Sequence, residues 1–287
     1  MIYLQRGAER VWHSIRAHKW ILLILIVLQL AFLLSSFYLA LTYQVKIIQN
    51  AQKIIEPLQN ANYDAESIKQ GKTFLKDMLG VYQAYQALIK DIFQFGIWML
   101  SLFFLFNGML WILSQQLLDK EKLSWKEKGR EAGKRWLKYL AASLAVLVPY
   151  LGASYVALRS IITLDLGTDS FSNSIIILTV VLAILYYFLL AALAVINTSS
   201  WKQFIQNTFR ISIRKIQYAL LVLLINSGVI AASLYLMNYS LNFPDTFTII
   251  AGSGVVLVIV IVLTRLLWIS CAQEIVPEQA SHEKNIS

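Results

Sequence analysis

Charged and amide side chains inside apolar stretches are where chemistry or ion passage would have to reside, because hydrocarbon offers such groups no solvent and they must find partners. Two charges lie well inside apolar runs, Arg159 and Arg265. Each sits a turn or two from the end of its run, so snorkelling is expected, Arg159 outward and Arg265 inward. Asp91 stands at the same outer level as Arg159, which makes the two a candidate ion pair. Gln29, Asn107 and Asn226 lie nine, ten and eight residues from the inner ends of their runs, taken as Trp20, Leu117 and Tyr218. They therefore share a depth to within about 3 Å and form a candidate intramembrane polar cluster. Interhelical bonds of this kind contribute about 0.6 to 2 kcal/mol each, which suits helix glue without requiring a substrate.

Catalytic patterns are missing. The chain contains no HExxH, no GxSxG, no phosphate-binding glycine loop and no carboxylate pair inside an apolar run, so the sequence points to no catalytic residue, no metal and no cofactor. His13 and His18 are five apart in a basic segment and suit an interface better than a metal, and His282 lies in a polar tail. Cys271 is the only cysteine, which excludes an intrachain disulfide and leaves an inert interfacial thiol.

The elements that must position these residues are apolar helices. With 58% hydrophobic and 14% charged residues and a mean hydropathy of +0.61, the 287-residue chain has too little polar surface for a water-soluble domain. Six runs, at about 20–43, 92–117, 139–162, 174–197, 218–241 and 247–270, are each long enough to cross a ~30 Å core. The first exceeds the apolar core of a cleavable signal and reads as an uncleaved anchor. The fold expected is all-α and polytopic, with six transmembrane helices as three hairpins. Residues 44–91 form an external α-hairpin stalk whose apolar stripes, Val45, Ile48, Ile55 and Leu58 against Leu75, Leu79, Tyr82, Tyr85, Ile89 and Ile92, face each other. Small-residue pairs, Ala141 with Ala145, Ala153 with Ala157, Gly228 with Ala232, and Gly252 with Gly254, mark close helix packing. Phe103, Phe104, Phe106 and Trp111 suit lipid or a partner protein.

Two basic segments enter the later hairpins. Lys126, Lys134 and Lys138 in SWKEKGREAGKRWLKYL match Lys202, Arg210 and Arg214 in SWKQFIQNTFRISIRKI, each 76 positions later, as are Trp125 and Trp201. With Arg130 they form helical stripes suited to anionic lipid headgroups or to a docking partner. Residues 1–19 match only in kind, and the spacing suggests a hairpin unit repeated three times. The organisation expected is an amphipathic segment at 1–19, a first hairpin at 20–117 carrying the stalk, two further units at 118–197 and 198–270, and a disordered tail at 271–287. The Trp-Lys segments followed by apolar hairpins resemble a broad group of uncharacterised prokaryotic six-span membrane proteins. That resemblance implies fold and location but no activity.

The lysines and arginines crowd the inner side. Eight fall within 120–138 and four within 202–215, while the short outer loops at 163–173 and 242–246 hold none. This places both termini in the cytosol of a multi-pass cell-membrane protein. The net charge of +9 is spent at the membrane rim, and no nucleic-acid motif accompanies it. The function expected is a non-enzymatic scaffold or interaction protein, with a protein partner at the stalk or at the cytosolic helices. The alternative is a permease or accessory subunit of a transport complex.

Overall fold

The computed structural model describes residues 2–59, 78–119, 125–163, 168–198, 200–240 and 246–276, and at 58, 125–128, 157–163, 168–174, 246 and 247 the backbone alone. The middle of the expected stalk, 60–77, lies outside these residues, as do both outer loops in good part and most of the tail. Among the described residues the structure is helical throughout and has no strand. In chain order the helices are α1 (Ile2–Ala17), α2 (Lys19–Gln59), α3 (Met78–Leu102), α4 (Gly108–Leu118), α5 (Trp125–Thr163), α6 (Thr168–Ala194), α7 (Trp201–Phe209), α8 (Ile216–Ser240) and α9 (Thr246–Ile275). Two π-helical turns interrupt them, Phe103–Asn107 between α3 and α4 and Arg210–Arg214 between α7 and α8. Six stretches are long and apolar enough to cross a membrane: Lys19–Pro57, Met78–Leu118, Gly129–Val156, Ile175–Ala194, Ile216–Ser240 and Thr248–Ile275. These define a multi-pass membrane protein.

The chain divides into two compact units, one comprising Met1–Gln29 and Gly108–Ser287, the other Leu30–Asn107. In the first, α9 is the central element and packs against α8, α1, α4 and α6, while α5 packs along α6. Its C-terminal half is the more buried. Val262, Leu266, Trp268, Ile269, Cys271 and Ala272 are buried, whereas Val255 and Val256 nearer its start are exposed. The exposed aliphatic faces of α5, α6 and α8 are the surface a hydrocarbon solvent requires.

The close helix approaches differ from those expected. A Cβ added at Gly228, Gly252 or Gly254 would meet nothing within 4 Å. The glycines that do permit contact are Gly7, where a Cβ would fall 2.5 Å from Cys271 Sγ, and Gly108, where it would fall 2.7 Å from the Trp136 ring. A glycine pair marks an interface only where the fold supplies a facing helix. Gly7 lets α1 lie against α9, and Ser270 Oγ seals the crossing by donating to the Gly7 carbonyl at 3.1 Å.

In the second unit, α2 and α3 run antiparallel. Phe32 meets Phe106 with ring centres 5.9 Å apart, Tyr43 meets Phe95 at 5.6 Å, and Asn50 Nδ2 donates to Asp91 Oδ2 at 2.9 Å. The seam is not the one the sequence suggests. Val45, Ile48, Ile55, Leu79, Tyr82, Tyr85, Ile89 and Ile92 are all exposed, and the inward face is carried by Ile47, Asn50, Ala51 and Ile54 opposite Val81, Ala84, Leu88 and Asp91. Both stripes have helical spacing, so periodicity could not choose between them. Ala84 is the buried residue of α3.

Candidate functional site

The densest polar construction lies at the C-terminal end of α6. A helix leaves its last four carbonyls without partners inside itself, and here that end is buried, with Ala191 to Ile196 each 6% exposed or less. Side chains from three other helices donate to carbonyls at and around this end. Gln115 of α4 donates through Nε2 to Leu193 O at 3.0 Å and to Ala194 O at 2.9 Å. Trp268 of α9 donates through Nε1 to Leu190 O at 2.9 Å. Lys138 of α5 donates through Nζ to Thr198 O, placing a positive charge where the helix dipole is negative. Gln273 Nε2 holds the Gln115 amide in this pose by donating to its Oε1 at 2.7 Å. Nothing in Gln115, Trp268 or Gln273 taken singly marks this role, since each sits near a span end where interfacial residues are common.

The end of α4 is capped in the same way. Arg10 Nη2 of α1 donates to Leu118 O at 3.1 Å and approaches Glu274 at 3.9 Å, and Arg135 lies 2.7 Å from Asp119 and 3.6 Å from Glu131. A third device sits at the Arg210–Arg214 π turn. There Lys215 N donates back five residues to Arg210 O, and Tyr187 OH of α6 donates to Ser212 O at 3.2 Å. Ser200 starts the preceding helix by accepting from Gln203 N at 3.2 Å.

Deeper along α9 lies a second polar group. Arg265 Nη2 donates to Gln29 Oε1 at 2.8 Å, and its guanidinium carbon stands 5.8 Å from the centre of the Trp111 ring. One residue earlier, Thr264 O accepts from Asn226 Nδ2 at 3.0 Å. Gln29 and Asn226 thus converge on adjacent residues of α9. Asn107 belongs to the other unit, half-buried at the last position of its π turn. Arg265 does not snorkel as expected: its Nη1 is buried, and Trp111, expected to face lipid or a partner protein, is buried beside it.

The basic stripes are placed as follows. Arg130, Lys134, Lys202 and Arg214 are exposed and Arg210 is half-buried, while the side chain of Lys126 lies outside the described residues. Lys138 departs from the headgroup-facing expectation, being 4% exposed and committed to Thr198. The two segments also differ in backbone. The first continues as α5 without a break from Trp125 to Thr163, whereas the second ends in the π turn. For the proposed ion pair, Asp91 accepts from Asn50, and the side chain of Arg159 lies outside the described residues. No group of three or more His, Cys, Asp or Glu suited to a metal occurs among the described residues.

Capping side chains of this sort build and rigidify a bundle, and the fold and its polar groups define the class only as far as a multi-pass helical membrane protein. No protein family, curated protein or solved structure matches the chain.

Proposed function

We propose that the chain is a non-enzymatic membrane scaffold, lying in the cell membrane with both termini in the cytosol, whose helical stalk presents an apolar face to an external partner. The observation that carries this reading is the exposure of Val45, Ile48, Ile55, Leu79, Tyr82, Tyr85 and Ile89 on α2 and α3. At ~1.5 Å per residue a 41-residue helix reaches about 60 Å, twice the ~30 Å hydrocarbon core. One half of α2 is therefore free to stand outside the bilayer, where a continuous apolar stripe favours a partner surface. The lysine and arginine asymmetry sets the orientation, and exposed Arg130, Lys134, Lys202 and Arg214 serve as a collar for anionic headgroups. No cofactor and no nucleic acid enter this reading.

The alternative, a permease or accessory subunit of a transport complex, draws on the exposed cations of α5 and α7 as a dock for a motor protein. Crosslinking from a photoreactive residue at position 82 and from one at position 202, after mild solubilisation, separates the two. A partner captured through position 82 supports the scaffold. Capture of an ATPase through position 202 alone would sink it.

A further inference from the structure

Arg265 is a half-buried cation, and no carboxylate pairs with it among the described residues. No aspartate or glutamate occurs in 20–55, 92–118, 139–163, 175–198, 218–240 or 246–273, and the first acid beyond it on its own helix, Glu274, is nine residues on, about 13 Å along the axis. Its ionisable neighbours are Tyr186 and Tyr139. Its neutral partners are the Gln29 carbonyl oxygen and the Trp111 ring. A guanidinium stays protonated in proteins, so the charge remains, and burying it uncompensated costs several kcal/mol.

The group is also incompletely bonded. Arg265 Nη1 is buried and has no hydrogen-bond partner. A fully satisfied helix clamp would not leave this donor over. The Gln29 bond and the Trp111 face hold the guanidinium in one pose with a donor to spare. Such pre-organisation matches recognition of a negatively charged oxygen better than it matches packing.

We propose that Arg265, positioned by Gln29 and Trp111, is the centre of an intramembrane oxyanion-binding site that takes a phosphate-type group. This stands apart from the scaffold reading and from its surface collar, since Arg265 is separate from the exposed cations of α5, α7 and the π turn. The phosphate could arrive as a lipid headgroup or as a free ion. The shared chemistry is charge-assisted hydrogen bonding of P–O⁻ to the unbonded guanidinium Nη1.

The test uses the full chain, as wild type, Arg265→Gln and Lys202→Gln/Arg214→Gln, at constant ionic strength. Thermal unfolding is followed against inorganic phosphate in micelles, and against the fraction of phosphatidylglycerol in phosphatidylcholine nanodiscs. Wild type and the collar variant are expected to gain stability in at least one arm, with apparent affinity at least about tenfold weaker in Arg265→Gln, following the logarithmic dependence of stability on bound ligand. A response in the phosphate arm identifies a free ion, and one in the phosphatidylglycerol arm alone identifies a headgroup. Should Arg265→Gln fail to fold, Gln29→Leu replaces it: freeing the second donor at Nη2 is expected to change the apparent affinity at least threefold. No wild-type response in either arm, or one left equal by Arg265→Gln or, in its place, by Gln29→Leu, overturns the proposal.

Discussion

At Gln115 a single neutral amide holds two backbone carbonyls and is itself held by Gln273. Replacing it with leucine strands the buried carbonyls of Leu193 and Ala194, and a lost buried partner costs about 1 to 3 kcal/mol. Gln115→Leu is therefore expected to lower the midpoint of thermal unfolding in detergent, whereas Gln206→Leu on the exposed side of α7 leaves it nearly unchanged. The two classes of glycine make an equally direct comparison. Gly108→Ala drives a methyl into the rings of Trp136 and Tyr139 and should cost about 1 to 3 kcal/mol of overpacking. Gly228→Ala meets open space and should be neutral or stabilising by up to ~1 kcal/mol through helix propensity. Equal losses at both glycines would contradict the packing described. These positions also show what the sequence could not reveal. A Gln near a span end and a Gly in a span look alike whether they face lipid, water or a neighbour, and the neighbour is a tertiary fact.

Among the elements, α1 is the least expected in its role. Its composition announces an interfacial helix, with Arg6, Trp12 and Arg16 exposed and Arg16 stacked 4.6 Å over Trp12, but its other face is structural. Gly7 and Val11 are buried, Arg10 caps α4, and Tyr3 packs edge-on to Tyr218 at 5.4 Å. The burial of Cys271 depends on this contact, so its thiol reports on it. A small maleimide is expected to label wild-type Cys271 at least about tenfold more slowly than in Gly7→Val, where the added side chain pushes α1 off α9 and opens the site locally. Equal rates would mean that α1 does not cover the thiol. The apolar runs were legible because twenty consecutive apolar residues leave few alternatives to a membrane helix. Helix α2 was legible too, as a span continuing into the polar segment. The inward face of α2 and α3 was not, because two stripes of helical spacing compete and only the contacts of Asn50 and Ala84 decide between them. The π turns left no readable trace. In the Arg210–Arg214 turn the Ser212 carbonyl accepts from Tyr187 of another helix, and such a donor has no fixed distance in sequence.

For the whole molecule, the contacts of α1 with the last turns of α9 carry a topological consequence. Arg10 reaches both Leu118 and Glu274, and Gly7 lies against Cys271, so the start of the chain and the end of its last span occupy one side of any bilayer. Six crossings require the same result. The capped end of α6 joins them there, because Gln115 and Gln273 bond to each other across it. Residues 2–17, 129–138 and 200–215 thus share a face, and in the scaffold reading proposed above their surplus of lysine and arginine puts that face in the cytosol. Single cysteines at Gln5, Lys202 and Gln52, all exposed positions, test this in a Cys271→Ala background. In intact cells a membrane-impermeant maleimide is expected to label position 52 alone, and positions 5 and 202 should react only once the membrane is opened. Labelling of 5 and 202 from opposite sides would break the even number of crossings between them and with it the shared inner face. If 52 stays protected while 5 and 202 react in intact cells, the six helices stand but the charge asymmetry has been assigned to the wrong side.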